Sequence, residues 1–182
     1  MNKTIKRLGQ CMGIFAINLV FIAPAHSNLT SVRIPTSSNR TCQQSIDFVR
    51  RELVSKGAFV PFNTHVVPGG RVEPRVSIKS IRNGNFYSTY RNPPSNRLEL
   101  VEFQLSGNAD RIWQGVLSSP QFLTTLASQI MVSCPRVGMV DYRHWFEGHI
   151  PVGYFSDGTA RPFTWVQYNN PRVNEWGYYN SP

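Results

Sequence analysis

The densest group of ionisable side chains in this sequence lies in the ten-residue stretch 140–149. It contains His144, Glu147 and His149, with Asp141 and Arg143 just before them. A histidine and a carboxylate on either side of a phosphate, helped by a cation, can perform general acid and base catalysis. One hypothesis for the function is therefore a secreted phosphodiesterase or ribonuclease that uses His144, Glu147 and His149.

The same residues do not match a known metal-binding pattern. Zinc proteases place two histidines four residues apart on a helix, with a glutamate beside the first, and the order here is different. On an extended strand Glu147 and His149 share a face and His144 does not, so all three meet only if the chain bends at Gly148. We predict neither a metal site nor a cofactor, and a solvated loop between two strands is the simpler interpretation.

The sequence contains no Gly-x-Ser-x-Gly elbow, phosphate-binding loop, dinucleotide fingerprint or Cys-x-x-Cys pair. This argues against the common exported hydrolases and oxidoreductases. The absence of these motifs favours a binding protein over an enzyme.

A second group of residues combines positive charge with aromatic rings on a predicted β-hairpin. The Asn83-Gly84 pair is a strong turn signal and separates two strand-like runs, 75–82 and 85–90. One face of this hairpin carries Arg75, Lys79, Phe86 and Tyr90. Cations can contact phosphates or carboxylates while a ring stacks on a base or sugar. The alternative is that the two rings belong to the core, which requires a different strand register.

The overall charge is consistent with such a surface. The chain has 19 basic and 10 acidic residues, a formal net charge of +9, and most of the cations are arginines, which pair bidentately with carboxylates and phosphates. A basic surface either keeps a protein soluble or attracts a polyanion. Our leading hypothesis is a non-enzymatic domain that binds an anionic envelope polymer or a partner protein through the hairpin face; nucleic acid is a weaker candidate.

The first 27 residues have the layout of a secretory signal peptide. Basic residues precede an apolar run at 11–25, and small residues follow it. The run is shorter than the roughly 20 residues that cross a bilayer, so we expect cleavage near Ala25 or Ser27 and not retention as an anchor. This predicts a periplasmic or secreted protein without a transmembrane segment in its mature chain.

Cys42 and Cys134 remain after such cleavage. An even number of cysteines in an exported chain predicts a disulfide bond, here between these two. The alternative is a redox-active or nucleophilic thiol, which needs an activating base that the sequence does not place nearby.

Two amphipathic helices are predicted, and we expect them to pack side by side and antiparallel. Thr41 and Gln44 form a capping box that begins the first helix. Ser119 and Pro120 begin the second, and Pro135 ends it. A bond between Cys42 and Cys134 would then join the start of the first helix to the end of the second.

Strand patterns occupy much of the remaining chain, at 58–62, 98–105 and 137–142, with a second hairpin from 150–155 and 162–168. Helices and strands that do not alternate strictly favour an α+β domain, in which helices cover one face of an antiparallel sheet. The predicted organisation is a flexible lead-in at 28–40, a single domain at 41–168 and an aromatic tail at 169–182. We expect the rings of the tail to hold it across the domain.

The segment 118–142 resembles a group of small exported cyanobacterial proteins that share a helix ending in Cys-Pro followed by a valine-rich strand. The matching residues are Pro120, Phe122, Leu126, Ile130, Cys134, Pro135, Val137 and Val140. The resemblance covers about one seventh of the chain. It implies a periplasmic or secreted domain with a Cys42–Cys134 bond, and it brings no catalytic residue.

Overall fold

The computed structural model of the chain describes residues 30–58, 76–81, 90–105, 109–144 and 148–180. The helices are α1 (Cys42–Ser55), α2 (Ala109–Ile112, continued by a π-helical turn at Trp113–Leu117) and α3 (Pro120–Ser133). The strands are β1 (Val32–Arg33), β2 (Val76–Ser80), β3 (Glu99–Leu105), β4 (Val137–His144), β5 (Gly148–Tyr154), β6 (Thr159–Pro162), β7 (Thr164–Trp165) and β8 (Tyr178–Tyr179). The predicted signal peptide, most of the predicted strand 58–62 and the Asn83-Gly84 turn lie outside the described residues.

Both long helices begin where the sequence predicted. The hydroxyl of Thr41 accepts from the backbone N–H of Gln44, and the side chain of Gln44 accepts from the N–H of Thr41, which completes the capping box of α1. Pro120 occupies the first turn of α3, but Ser119 makes no capping hydrogen bond through its side chain. Proline in the first turn already has a helical φ, so α3 begins without that bond.

The bond between Cys42 and Cys134 is present, as predicted, and joins the first turn of α1 to the end of α3. The hydroxyl of Ser45 donates to that of Ser133 over 2.7 Å and reinforces the same junction. The two helices are therefore held together at one end by a covalent bond and a partly buried hydrogen bond.

The described strands of the main sheet follow the order β1-β6-β5-β4-β3-β2. Neighbouring strands are antiparallel except β3 and β4, which are parallel. Parallel neighbours need a long crossover, and here α2 and α3 supply it. The α+β class is confirmed, and the sheet is mixed instead of wholly antiparallel.

The second predicted hairpin is formed by β5 and β6 around a turn in which Gly158 has a φ of +77°. The predicted strand 162–168 was wrong in its extent, because β6 ends at Pro162 and the chain leaves the main sheet there. Residues Thr164–Trp165 instead pair with Tyr178–Tyr179 in a separate two-stranded sheet.

The helices cover one face of the main sheet. Alternate residues of β3 and β4, among them Phe103 and Tyr142, share the larger core with residues of all three helices. The rings of Phe103 and Tyr142 are stacked 5.6 Å apart, and the Tyr142 hydroxyl donates to the carbonyl of Leu123 in α3. Within the part of the chain described, no helix is long and apolar enough to span a bilayer.

The opposite face is partly covered by the C-terminal segment, residues 163–180. Phe163 and Tyr90 are buried there in a smaller cluster against Leu100 and Met139, and Trp176 packs on its edge. The indole N–H of Trp176 donates to the carbonyl of Tyr154 over 2.9 Å. The aromatic tail thus lies across the domain, as its composition indicated.

Removal of the disulfide bond should destabilise the domain strongly. The bond spans 92 residues of sequence, and the chain-entropy model gives about 4–5 kcal/mol of unfolding free energy for a loop of that length. Urea denaturation of the oxidised wild type and of a Cys42→Ala, Cys134→Ala double variant would measure the difference. The wild type treated with a reductant serves as a control and should match the variant; equal midpoints for all three samples would contradict the prediction.

Candidate functional site

The hairpin face proposed from the sequence is only partly described, because Arg75 and Phe86 lie outside the described residues. Lys79 lies on β2 with its side chain 43% exposed, and its ammonium group donates to Glu102 over 2.8 Å. Lys79 is therefore available at the surface, but it is already paired with a carboxylate.

Tyr90 does not lie on that surface. It is 7% exposed, and its ring makes edge-to-face contacts with Phe163 at 5.3 Å and Trp176 at 5.9 Å. Burial, followed by the nearby charge of Asp141, raises the pKa of the Tyr90 hydroxyl far above its usual range. Of the two alternatives the sequence allowed, the structure shows the core position, so Tyr90 presents no ring to a ligand.

The histidines of the catalytic hypothesis are not brought together. In the β4–β5 pairing His144 lies opposite Gly148, and His149 lies opposite Arg143. Side chains alternate between the two faces of a strand, so His144 faces the helices and His149 faces the C-terminal segment. Glu147 lies outside the described residues.

The structure instead assembles a row of polar side chains on the sheet face opposite the helices. Register places Glu102 of β3 beside Asp141 of β4, and Arg143 of β4 beside His149 of β5. This polar row consists of Lys79, Glu102, Gln104, Asp141, Arg143 and His149. It crosses four strands and includes Lys79 and His149, which the two sequence-based hypotheses named as site residues.

Glu102 is the centre of one half of the polar row. Its side chain is 5% exposed, and it accepts from Lys79 at 2.8 Å and from the Gln104 amide at 3.3 Å. A guanidinium nitrogen of Arg143 lies 3.8 Å from its other oxygen. A buried carboxylate needs such partners, because desolvation of an unpaired charge is costly.

Asp141 and His149 form the other half. The Nδ1 atom of His149 donates to Asp141 over 3.0 Å, and the edge of the Tyr179 ring lies against the imidazole at 5.0 Å between ring centres. Burial alone lowers the pKa of His149, but the charge and hydrogen bond of Asp141 outweigh it and the pKa is raised. An imidazole oriented by a carboxylate has the geometry of a general base, yet this ring is 4% exposed and closed off from a substrate in solution.

The outer end of the polar row opens into a groove of about 560 Å³ between α1 and β2. Its lining residues are Gln43, Ile46, Asp47, Arg50, Val76, Ser77, Ile78, Lys79 and Gln104. The α1 wall supplies Arg50, and the β2 wall supplies Lys79. Aliphatic side chains lie between them, and Ile78 among these is 54% exposed.

The groove combines both signs of charge with neutral hydrogen-bonding groups. Arg50 lies 3.7 Å from Asp47, to which the Gln43 amide donates over 3.2 Å. Among the described residues, the hydroxyl of Ser77 is buried without a hydrogen-bond partner. Among the described residues of the lining, Arg50, Lys79 and Asp47 are charged and sum to a formal charge of +1. Such a surface can hold an anion through its cations and orient it through its amides.

The α1 wall of the groove was not anticipated from the sequence. Gln43, Asp47 and Arg50 recur at spacings of four and three, which places them on one polar side of α1. That periodicity was a usable signal, because it marks one exposed stripe beside the buried stripe that identified the helix. The meeting of this stripe with Lys79 depends on tertiary packing and has no local signature.

Comparison with models of known protein families, with curated proteins and with solved structures finds no match to this chain. Within the described residues, no group of three or more His, Cys, Asp or Glu side chains could hold a metal ion.

The Asp141–His149 pair should make the stability of the domain depend on pH. The folded-state pKa of His149 is raised, so its contribution is complete below about pH 6.5 and is lost as the pH rises through the raised value. Urea denaturation from about pH 5 to about pH 9 should show this loss in the wild type. An Asp141→Asn variant lacks the charge that raises the pKa of His149, while burial and Arg143 still lower it, so the loss should disappear. An identical pH profile for the two proteins would contradict the assignment.

Proposed function

We propose that this protein is an exported binding domain that holds an anionic polymer in the groove between α1 and β2. The observation that carries the proposal is that Arg50 and Lys79, from two separate elements, line the same groove. Export is part of the proposal, and the Cys42–Cys134 bond supports it because disulfide bonds persist mainly in oxidising compartments.

The existing ion pairs of the groove leave its cations able to take a ligand. An ammonium group has three donors, and the bond from Lys79 to Glu102 uses one of them. Arg50 and Asp47 are 29% and 33% exposed and 3.7 Å apart. Partly exposed pairs of this kind contribute at most about 1 kcal/mol, so anionic groups of a polymer can compete for the guanidinium.

The uncharged part of the groove lining suits an extended polymer better than a single small ion. Amides at Gln43 and Gln104 can bond to groups between the charges, and Ile78 offers apolar contact to the polymer backbone. Without the three basic residues of the predicted signal peptide the formal net charge is 16 − 10 = +6, which adds a general attraction for polyanions. The chemistry to be recognised is a repeated carboxylate or phosphate along an extended chain.

The catalytic alternative has less support. The two histidines occupy opposite faces of the sheet, and His149 is buried beneath Tyr179. If purified protein cleaved RNA and Asp141→Asn abolished the cleavage while the fold was retained, the enzyme hypothesis would replace the binding proposal.

Removal of either groove cation should weaken polyanion binding. Lys79→Gln and Arg50→Gln should each reduce the affinity for polygalacturonate and for polyuridine by about two- to fivefold at low salt. A plot of log affinity against log salt concentration has a negative slope, and each substitution should reduce the magnitude of that slope by about one. The two probes carry carboxylates and phosphates respectively, so a loss confined to one of them identifies the preferred anion.

Arg136→Gln is the matched control, because Arg136 is 80% exposed, pairs with Glu99 and does not line the groove. This variant should bind almost as the wild type does. If Arg136→Gln and Arg50→Gln lost the same affinity, binding would follow the total charge and the groove assignment would be wrong.

Neutralising Asp47, an acidic residue of the groove lining, should strengthen polyanion binding. Asp47→Asn removes the carboxylate beside Arg50 and raises the formal charge of the lining by one. Affinity for the same two polymers should increase by about two- to fivefold at low salt. Fluorescence anisotropy of labelled polymers would measure it, and a decrease would show that Asp47 itself contacts the ligand, contrary to an anion site.

A further inference from the structure

Two large aromatic side chains of the C-terminal segment are exposed. Trp165 is 54% exposed and Tyr168 is 85% exposed. We call these two rings the aromatic platform. Exposed rings on a folded surface are common at binding sites, because they supply large contact areas with little conformational entropy to lose.

The exposure of the platform is not due to a loose segment. The backbone N–H of Thr164 donates to the carbonyl of Gly177 over 2.7 Å, and that of Val166 donates to the carbonyl of Tyr179 over 2.8 Å. Val166 is buried directly after Trp165. The chain is therefore fixed on both sides of Trp165 while the ring itself remains in solvent.

The sequence neighbours of the platform are polar and nearly uncharged. Gln167 and Asn169 are exposed beside Tyr168. The only charged residue in the stretch 164–172 is Arg172, and its guanidinium donates to the hydroxyl of Tyr178 over 2.6 Å. No leucine, isoleucine or methionine occurs in this stretch, and its one valine is buried.

These features identify a class of ligand. Sugar rings present C–H faces that stack on aromatic rings and hydroxyl groups that bond to amides. A lipid surface or an apolar protein interface would call for exposed aliphatic side chains, and a polyanion would call for several cations, whereas the stretch 164–172 contains one. Trp165 and Tyr168 are three residues apart, so their Cα atoms are at most about 10–11 Å apart, and both rings can meet one oligosaccharide.

We propose that the aromatic platform of Trp165 and Tyr168 binds the neutral sugar rings of a polysaccharide. This site is separate from the groove and does not depend on the function proposed there. Its binding should be insensitive to salt, because no counterions are displaced when uncharged sugars stack on rings.

The test is affinity electrophoresis of the full chain through gels that contain a soluble β-glucan, a xylan or a galactomannan. The wild type should be retarded by at least one of these neutral polymers, at low and high salt alike. Trp165→Ala and Tyr168→Ala should each weaken the binding by about tenfold, by analogy with the loss of an aromatic stacking contact to a base. Trp165→Phe should retain most of it.

Trp113→Ala is the matched control, since Trp113 is also an exposed tryptophan, at 47%, but lies after α2 and outside the C-terminal segment. It should bind as the wild type does, and unchanged urea midpoints would show that all variants are folded. Failure of all three polymers to retard the wild type would overturn the proposal. So would retardation that survives loss of both rings, or binding to neutral phosphatidylcholine vesicles that needs the same rings while no sugar binds.

Discussion

Phe163 and Trp176 attach the C-terminal segment to the sheet because both rings pack over Gly153 of β5, and the cover of that sheet face depends on this contact. The two rings lie 5.0 Å apart, edge to face. Gly153 makes the contact feasible, because a Cβ atom there would lie 2.2 Å from the Phe163 ring. The segment held in this way brings Tyr179 over His149, so the same aromatic packing covers the His149 end of the polar row.

The parts of the fold that follow from neighbouring residues were predictable. The capping box at Thr41 and the proline at position 120 fix helix starts through local hydrogen bonding and backbone geometry. The Cys42–Cys134 bond was predictable because an exported chain is expected to reach an oxidising compartment. The parallel pairing of β3 and β4 was not predicted, because strand neighbours depend on how the intervening helices pack. Pro162 ends β6, although the surrounding residues have good strand propensity.

The candidate site was predictable only in part, because contacts between separate helices and strands depend on tertiary packing. Lys79 was identified from the alternation along its strand, but its role depends on Glu102, which the sheet register places nearby. For Tyr90 the sequence left a surface position and a core position open, because a tyrosine in a strand-like run suits both, and the structure shows the core position. Arg50 joins the groove only after α1 packs against the sheet. Local sequence patterns determine which face of a helix or strand a residue occupies. Tertiary packing determines which other side chains it contacts.

The Cys42–Cys134 bond also changes how the chain would respond to proteolysis. Every residue from 43 to 133 lies within the covalent loop that this bond closes, including α2 and nearly all of both long helices. A single cut anywhere in that loop leaves two fragments that are still joined through sulfur. The cleaved protein would keep its mass and, where the core packing is intact, its shape, so a nick could persist in an oxidising compartment without releasing either part of the domain.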